Sequence, residues 1–198
     1  MPHLDRRLFA VSALAALAAL AAACGRKPPA QTTAMPGIGG PFTLVDQDGK
    51  PVTEAVLKGR WSAVYFGFTY CPDICPTSLQ ALKEGLDKLG SKGKSVQTFL
   101  ISVDPERDTP QVLKAYLDNP SFPAGIRGLT GTPEQVAAVA KAYKLYYAKQ
   151  GDGPDYQVQH QSIIYLMNPK GELARPLTHD LTPDQIAAQI GDALRRGA

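Results

Sequence analysis

The feature that most limits how this chain can fold is the junction around residue 70. Ser62 to Phe68 is an unbroken run of β-branched, aromatic and small residues, the composition of a buried strand. A few positions later Leu79, Leu82, Leu86 and Leu89 recur at spacings of three, four and three, the stripe of an amphipathic helix lying on a sheet. Between them stands Cys71-Pro72-Asp73-Ile74-Cys75-Pro76. After Gly90 and Gly93, Val96 to Val103 reads as a second buried strand, so the three segments form a β-α-β unit whose strands pair in parallel. The two cysteines then sit at the carboxyl end of the first strand.

Turn and cap signals divide the remainder. Phe42 to Val45 and Val52 to Thr53 flank Asp46-Gln47-Asp48-Gly49, an Asp-Gly hairpin signal. Thr109-Pro110 caps a helix that runs to about Asp118, and Thr132-Pro133-Glu134-Gln135 opens another, with capping-box spacing, that runs to about Tyr143. Ser162 to Met167 is a third strong strand, turned by Asn168-Pro169-Lys170-Gly171 into Glu172 to Leu177. Thr182-Pro183-Asp184-Gln185 repeats the capping box before the last helix. A β-α-β half followed by a β-β-α half is the thioredoxin arrangement. The expected fold is therefore α/β and thioredoxin-like, over residues 41–198, with an N-terminal β-hairpin and a helical insertion between the halves.

The first residues are of another kind. Arg6 and Arg7 precede an apolar stretch from Leu8 to Ala23, which is an export signal. It ends in Ala21-Ala22-Ala23-Cys24, similar to the processing site of a bacterial lipoprotein, although leucine is usual where Ala21 stands. Residues 1–24 are expected to end in Cys24 as a lipidated anchor. Gly25 to Gly40, rich in Pro, Gly, Thr and Ala, are expected to form a flexible tether. The domain would then be held to a membrane of the bacterial cell envelope, facing the periplasm or the cell exterior. A net charge of +3 without a long basic run argues against nucleic acid as a partner.

Setting Cys24 aside leaves Cys71 and Cys75 as an isolated pair in an oxidising compartment. With 44% hydrophobic residues the domain can bury a core without a staple, so the pair is free to be functional. Unpaired N–H groups and the dipole at a helix N-terminus favour thiolate over thiol, which raises both metal affinity and nucleophilicity. Thioredoxin-type redox pairs usually have two intervening residues; three here place the sulfurs about one helical turn apart. Both a Cys71–Cys75 disulfide and chelation of one ion remain open. Of His3, His160 and His179, only His160 is brought to the cysteines by the topology. It immediately precedes the Ser162 strand, and if that strand runs antiparallel to the Ser62 strand its beginning lies beside the Cys71 turn. Two thiolates and an imidazole form a soft set that suits Cu(I) and can hold Cu(II) with an added weak ligand, whereas a structural zinc site normally has four protein ligands.

Tyr65-Phe66-Gly67-Phe68-Thr69-Tyr70-Cys71-Pro72-Asp73-Ile74-Cys75-Pro76 closely resembles the signature of the SCO/SenC family of copper proteins. Ser102-Val103-Asp104-Pro105-Glu106-Arg107-Asp108-Thr109, Gly128-Leu129-Thr130-Gly131 and His160-Gln161-Ser162-Ile163-Ile164-Tyr165-Leu166 resemble its further blocks in order, from about Gly39 to the C-terminus. Tyr70 departs from the histidine that many members carry. The resemblance implies a membrane-tethered copper chaperone, not an enzyme. It would hold copper through Cys71, Cys75 and His160 and assemble the binuclear copper centre on the copper-bearing subunit of cytochrome c oxidase. A thiol-disulfide oxidoreductase acting on cysteines of an oxidase subunit is the rival. The segment Gln150 to Gln159, with Gly151 and Gly153, reads as a loop that lets His160 swing onto and off the metal. The acidic block from Asp104 to Asp108 reads either as a strand end and helix cap with a local Arg107 pair, or as support for the site or a docking point for a partner.

Overall fold

The computed structural model describes residues 37–197. The export segment with His3 and Cys24, and residues 25–36 of the expected tether, lie outside the described residues. Residues 37–40 lie against the domain, where the Gly39 N–H donates to the Ala142 carbonyl at 3.0 Å.

The chain begins with the expected hairpin, β1 (Thr43–Asp46) and β2 (Pro51–Thr53), closed by an Asp46 carboxylate that accepts from the N–H groups of Asp48 and Lys50, both at 3.0 Å. Gly49 takes the left-handed conformation this turn needs, with φ +77°. After a single 3-10 turn, Glu54–Leu57, come β3 (Ser62–Gly67), buried at every position, and α1 (Ile74–Lys88). A short α2 (Ser91–Lys94) precedes β4 (Gln97–Ser102), α3 (Pro110–Leu117), β5 (Arg127–Thr130) and α4 (Pro133–Ala142). The chain ends with β6 (Tyr147–Gln150), β7 (Gln157–His160), β8 (Ile163–Met167), β9 (Leu173–Thr178) and α5 (Pro183–Arg196).

Seven strands form one sheet in the order β2-β1-β5-β4-β3-β8-β9. The β3–β4 pair is parallel; β8 runs antiparallel to β3, and β9 to β8. This is the thioredoxin arrangement expected from the order of elements. The helix starts are as read: the Thr109 side chain accepts from the Val112 N–H, and Thr132–Gln135 and Thr182–Gln185 form complete capping boxes. The two halves meet where α1 lies on α5 so closely that a methyl group on Gly85 would come 2.7 Å from Ile186.

Three strands were not foreseen. β5 is only Arg-Gly-Leu-Thr, too short to show a period, yet it pairs parallel with β4 and antiparallel with β1, joining the N-terminal hairpin to the main sheet. Its Gly128 is a packing requirement, since a methyl group there would come 2.8 Å from Leu117 of α3. The expected loop from Gln150 to Gln159 is a loop only over residues 151–156, its two ends being paired strands. β6 and β7 pair antiparallel from Tyr147↔His160 to Gln150↔Gln157, leaving only residues 151–156 as the turn, where Gly151 and Gly153 have φ +87° and +81°. Polar residues dominate both strands, so their sequence gives no buried-strand signal.

Candidate metal centre

The link between β3 and α1 is fixed from beneath. Asp108, fully buried, accepts from the Thr69 hydroxyl at 2.6 Å, the Thr69 N–H at 3.1 Å and the Ser102 hydroxyl at 2.6 Å. Burial pushes its carboxyl above the usual carboxylate range, against the opposing pull of those donors. Both readings of the acidic block are seen: Arg107 pairs locally with Asp104, and Asp108 supports the loop that carries Cys71. Asp108 ties the end of β4 to a residue two positions before Cys71.

Helix α1 begins at Ile74, slightly earlier than the leucine stripe suggested, so Cys75 lies in its first turn. The Asp73 side chain makes no cap bond. The Cys75 N–H donates instead to Cys71 Sγ at 3.3 Å, which places a sulfur where a cap oxygen would otherwise be. Cys71 is partly exposed and Cys75 fully buried, and both are free thiols. Gly67 makes room for them, because a methyl group there would come 3.0 Å from Cys75 Sγ and 2.8 Å from the Tyr65 ring.

The antiparallel pairing of β8 with β3 carries His160 to the same edge, as the topology required. Its Nε2 lies 3.5 Å from Cys75 Sγ, across 85 residues of sequence. The ligand atoms of Cys71, Cys75 and His160 all fall within 4.8 Å of one another. Nδ1 is 3.1 Å from the Gln161 carbonyl, a contact that fixes the ring so that Nε2 faces the sulfurs. The ring stands edge-on to Phe68 and Tyr65, with centroids 5.7 and 6.3 Å away. His179 lies in the turn after β9 and does not belong to this cluster.

The two sulfurs are unequal. Cys71 is brought down to about 4, chiefly by the hydrogen bond from the Cys75 thiol, against partial burial and with help from His160 and the N–H groups of Cys75 and Asp73. Cys75 moves upward because its proton serves Cys71, because it is buried and because the Cys71 charge is close. The dithiol therefore releases its first proton easily, from the half-buried Cys71, and holds the second tightly on the buried Cys75.

Sequence reasoning missed the floor of the site. Tyr65, fully buried, bonds through its hydroxyl to Ser162 Oγ at 2.9 Å, linking β3 to the residue just before β8. Burial and the nearby Cys75 push its phenol well above the usual range. Tyr65 reads in sequence simply as a strand residue. Its side of the sheet is set by pairing with Ile164 and Leu100, which no local pattern states.

A thioredoxin-like sheet with a dithiol at the start of α1, and an imidazole brought onto that dithiol from a late hairpin, defines a class of metal-binding thioredoxin-fold proteins. The model of the SCO1/SenC family matches residues 30–195, and the chain belongs to that family. SenC of Rhodobacter capsulatus is 43% identical over 190 residues, covering 94% of this chain and 84% of its own. The structure of Bradyrhizobium japonicum ScoI with copper bound superposes with a TM-score of 0.70 at 43% identity, covering 78% of this chain and 98% of that one. BsSco, described as a member of the Sco family of cytochrome c oxidase assembly proteins with a disulfide switch, superposes with a TM-score of 0.65 at 31% identity, covering 80% and 94%. The chain spans about half the length of the mitochondrial relatives that it matches in Arabidopsis thaliana and Saccharomyces cerevisiae. No helix among the described residues is long and apolar enough to cross a membrane.

Proposed function

We propose that this protein carries one copper ion on Cys71, Cys75 and His160 and gives it up, by ligand exchange, to the copper-bearing subunit of cytochrome c oxidase. The observation that carries this reading is the imidazole: a redox dithiol needs no third ligand, yet His160 Nε2 is aimed at the cysteine pair with its other nitrogen tied to a carbonyl. Two sulfurs and one imidazole nitrogen suit Cu(I), whose soft character and low coordination number they match. No fourth histidine, cysteine or carboxylate joins them among the described residues, which argues against a structural zinc site. Copper bound to the relative from Bradyrhizobium japonicum supports the same assignment here.

Transfer asks that the ligands leave one at a time. Cys71, half-buried and drawn toward the thiolate form, and the similarly half-buried His160 are the ligands an incoming thiol or imidazole can reach, while Cys75 holds the ion from the buried side. Cys24, at the end of the apolar export segment, would keep this exchange beside a membrane through a lipid anchor. The test is metal analysis of the reduced domain after copper loading, with each ligand replaced in turn. One copper per chain is expected, with at least a ~100-fold loss of affinity in His160→Ala while the two cysteines still form a disulfide. Undiminished affinity in that variant rules out the third ligand.

The lowered Cys71, half-open to solvent, also favours a second reading, thiol-disulfide exchange with cysteines of an oxidase subunit, in which Cys71 attacks and Cys75 resolves. Such an activity requires neither His160 nor metal. Reduction of insulin by the His160→Ala variant at the rate of the parent would support it.

A further inference from the structure

The hairpin that delivers His160 stands apart from the main sheet, because β6 and β7 pair only with each other. A lone two-stranded hairpin is at best marginally stable in water, so side-chain contacts must decide where this one sits. One side chain touches both it and the cysteine loop. Arg107 Nε pairs with the Asp104 carboxylate at 2.5 Å, and Nη1 donates to the carbonyl of Tyr156 at 3.0 Å. Its guanidinium carbon lies 3.8 Å from the Tyr156 ring centroid and 4.6 Å from the ring of Tyr70, the residue before Cys71. The Tyr156 hydroxyl donates to the other Asp104 oxygen. Lys149 of β6 lies 3.9 Å from the Tyr156 ring centroid and pairs with Glu106 at 2.7 Å.

We propose that Arg107 is a positioning residue for the metal centre: by fastening the β6–β7 hairpin and the Cys71 loop to a single guanidinium, it sets the separation between the imidazole and the dithiol. His160 is held at its C-terminal side by β8, which belongs to the main sheet. On its other side the strand is held by Val158, buried in the core two residues earlier, and by Tyr156, four residues earlier, whose clasp Arg107 completes. Only arginine suits the place, because a planar fork offers donors at its edge while both aromatic rings meet its π-system; lysine supplies a charge without either. The inference rests on the reading of Cys71, Cys75 and His160 as a copper site.

Its test is a cycle of Arg107→Gln, His160→Ala and the double variant, titrated for Cu(I) against a competing chelator. Outer residues that orient a metal ligand typically change affinity by 10- to 100-fold, so a loss of roughly that size is expected from Arg107→Gln in the parent and no further loss in the His160→Ala background. In the Cu(II)-loaded Arg107→Gln variant, nitrogen coupling in the electron paramagnetic resonance spectrum should weaken. In the metal-free variant, amide hydrogen exchange of the Tyr147–His160 pair should accelerate. Arg107→Lys should restore little of either. Unchanged Cu(I) affinity and unchanged exchange, or an equal loss with and without His160, overturns the assignment. Should Arg107→Gln fail to fold, Tyr156→Leu removes the stacked ring and the Asp104 hydrogen bond, and the same readouts apply. A parent protein that takes up no copper defeats the underlying reading instead, while the exchange measurement still decides whether Arg107 fastens the hairpin.

Discussion

Alkylation of Cys71 by iodoacetamide in the reduced, metal-free protein should be almost independent of pH between about 5.5 and 8. The reason is the hydrogen bond from the buried Cys75 thiol, which together with His160 and two backbone N–H groups brings Cys71 to about 4 from an ordinary value of 9.0. At pH 6 an ordinary thiol is thiolate in roughly one molecule in a thousand, whereas Cys71 is almost wholly thiolate. A thiolate this weakly basic is also a poorer nucleophile. With a Brønsted coefficient of about 0.45, five units of basicity reduce the intrinsic rate by roughly 200-fold. The two effects leave Cys71 reacting about 5-fold faster than a control thiol at pH 6 and, by the same arithmetic, roughly 20-fold more slowly at pH 8. The curves should therefore cross near pH 7. The assay is mass-spectrometric quantification of Cys71 carbamidomethylation against a model peptide across that range. Cys75→Ala removes the largest cause of the shift and should return the profile toward that of the peptide. A Cys71 rate that climbs tenfold per pH unit from 5 to 8 would show that the sulfur is an ordinary thiol and that the hydrogen-bonding argument is wrong.

Two further substitutions test the support of the site. Gly67→Ala introduces a methyl group 2.8 Å from the Tyr65 ring and 3.0 Å from Cys75 Sγ, an overpacking expected to cost about 1–3 kcal/mol in urea denaturation and to weaken copper binding; full retention of both would mean that the floor can yield. Asp108→Ala leaves the Thr69 and Ser102 donors without their buried acceptor and should lower stability by about 2–4 kcal/mol, with looser packing around Cys71 visible as faster amide exchange at Thr69; an unchanged denaturation midpoint would remove Asp108 from the supports of the loop.

The local chemistry of the site was legible because it is written in contiguous residues. Cys71 just before a helix and Cys75 at its start follow from the run Ser62 to Phe68, the prolines at 72 and 76 and the leucine stripe, and each of these signals spans only a few residues. The helix starts at Thr109, Thr132 and Thr182 were likewise readable, because capping depends on residues three apart. The role of His160 was within reach only through topology. Antiparallel pairing of β8 with β3 returns it to the cysteines, and a sequence signal for strand order exists only indirectly, in the rules that restrict connections.

What the sequence determined by itself is the kind of atoms available and the local conformations that present them: a thiol pair at a helix start, a histidine ahead of a strong strand, a chain that alternates strand and helix. What only the tertiary structure decided is which of these meet and how firmly. The Gln150–Gln159 segment reads as a swinging loop yet is paired at both ends, with Tyr156 of its turn between Arg107 and Lys149, and Tyr65 reads as one more core residue yet forms the floor beneath Cys75. The physical reason is range. Propensity, capping and amphipathic pattern act over one or two turns of chain, whereas a cation clasped between rings 37 and 49 residues away gains its energy from partners that only the finished fold brings into contact.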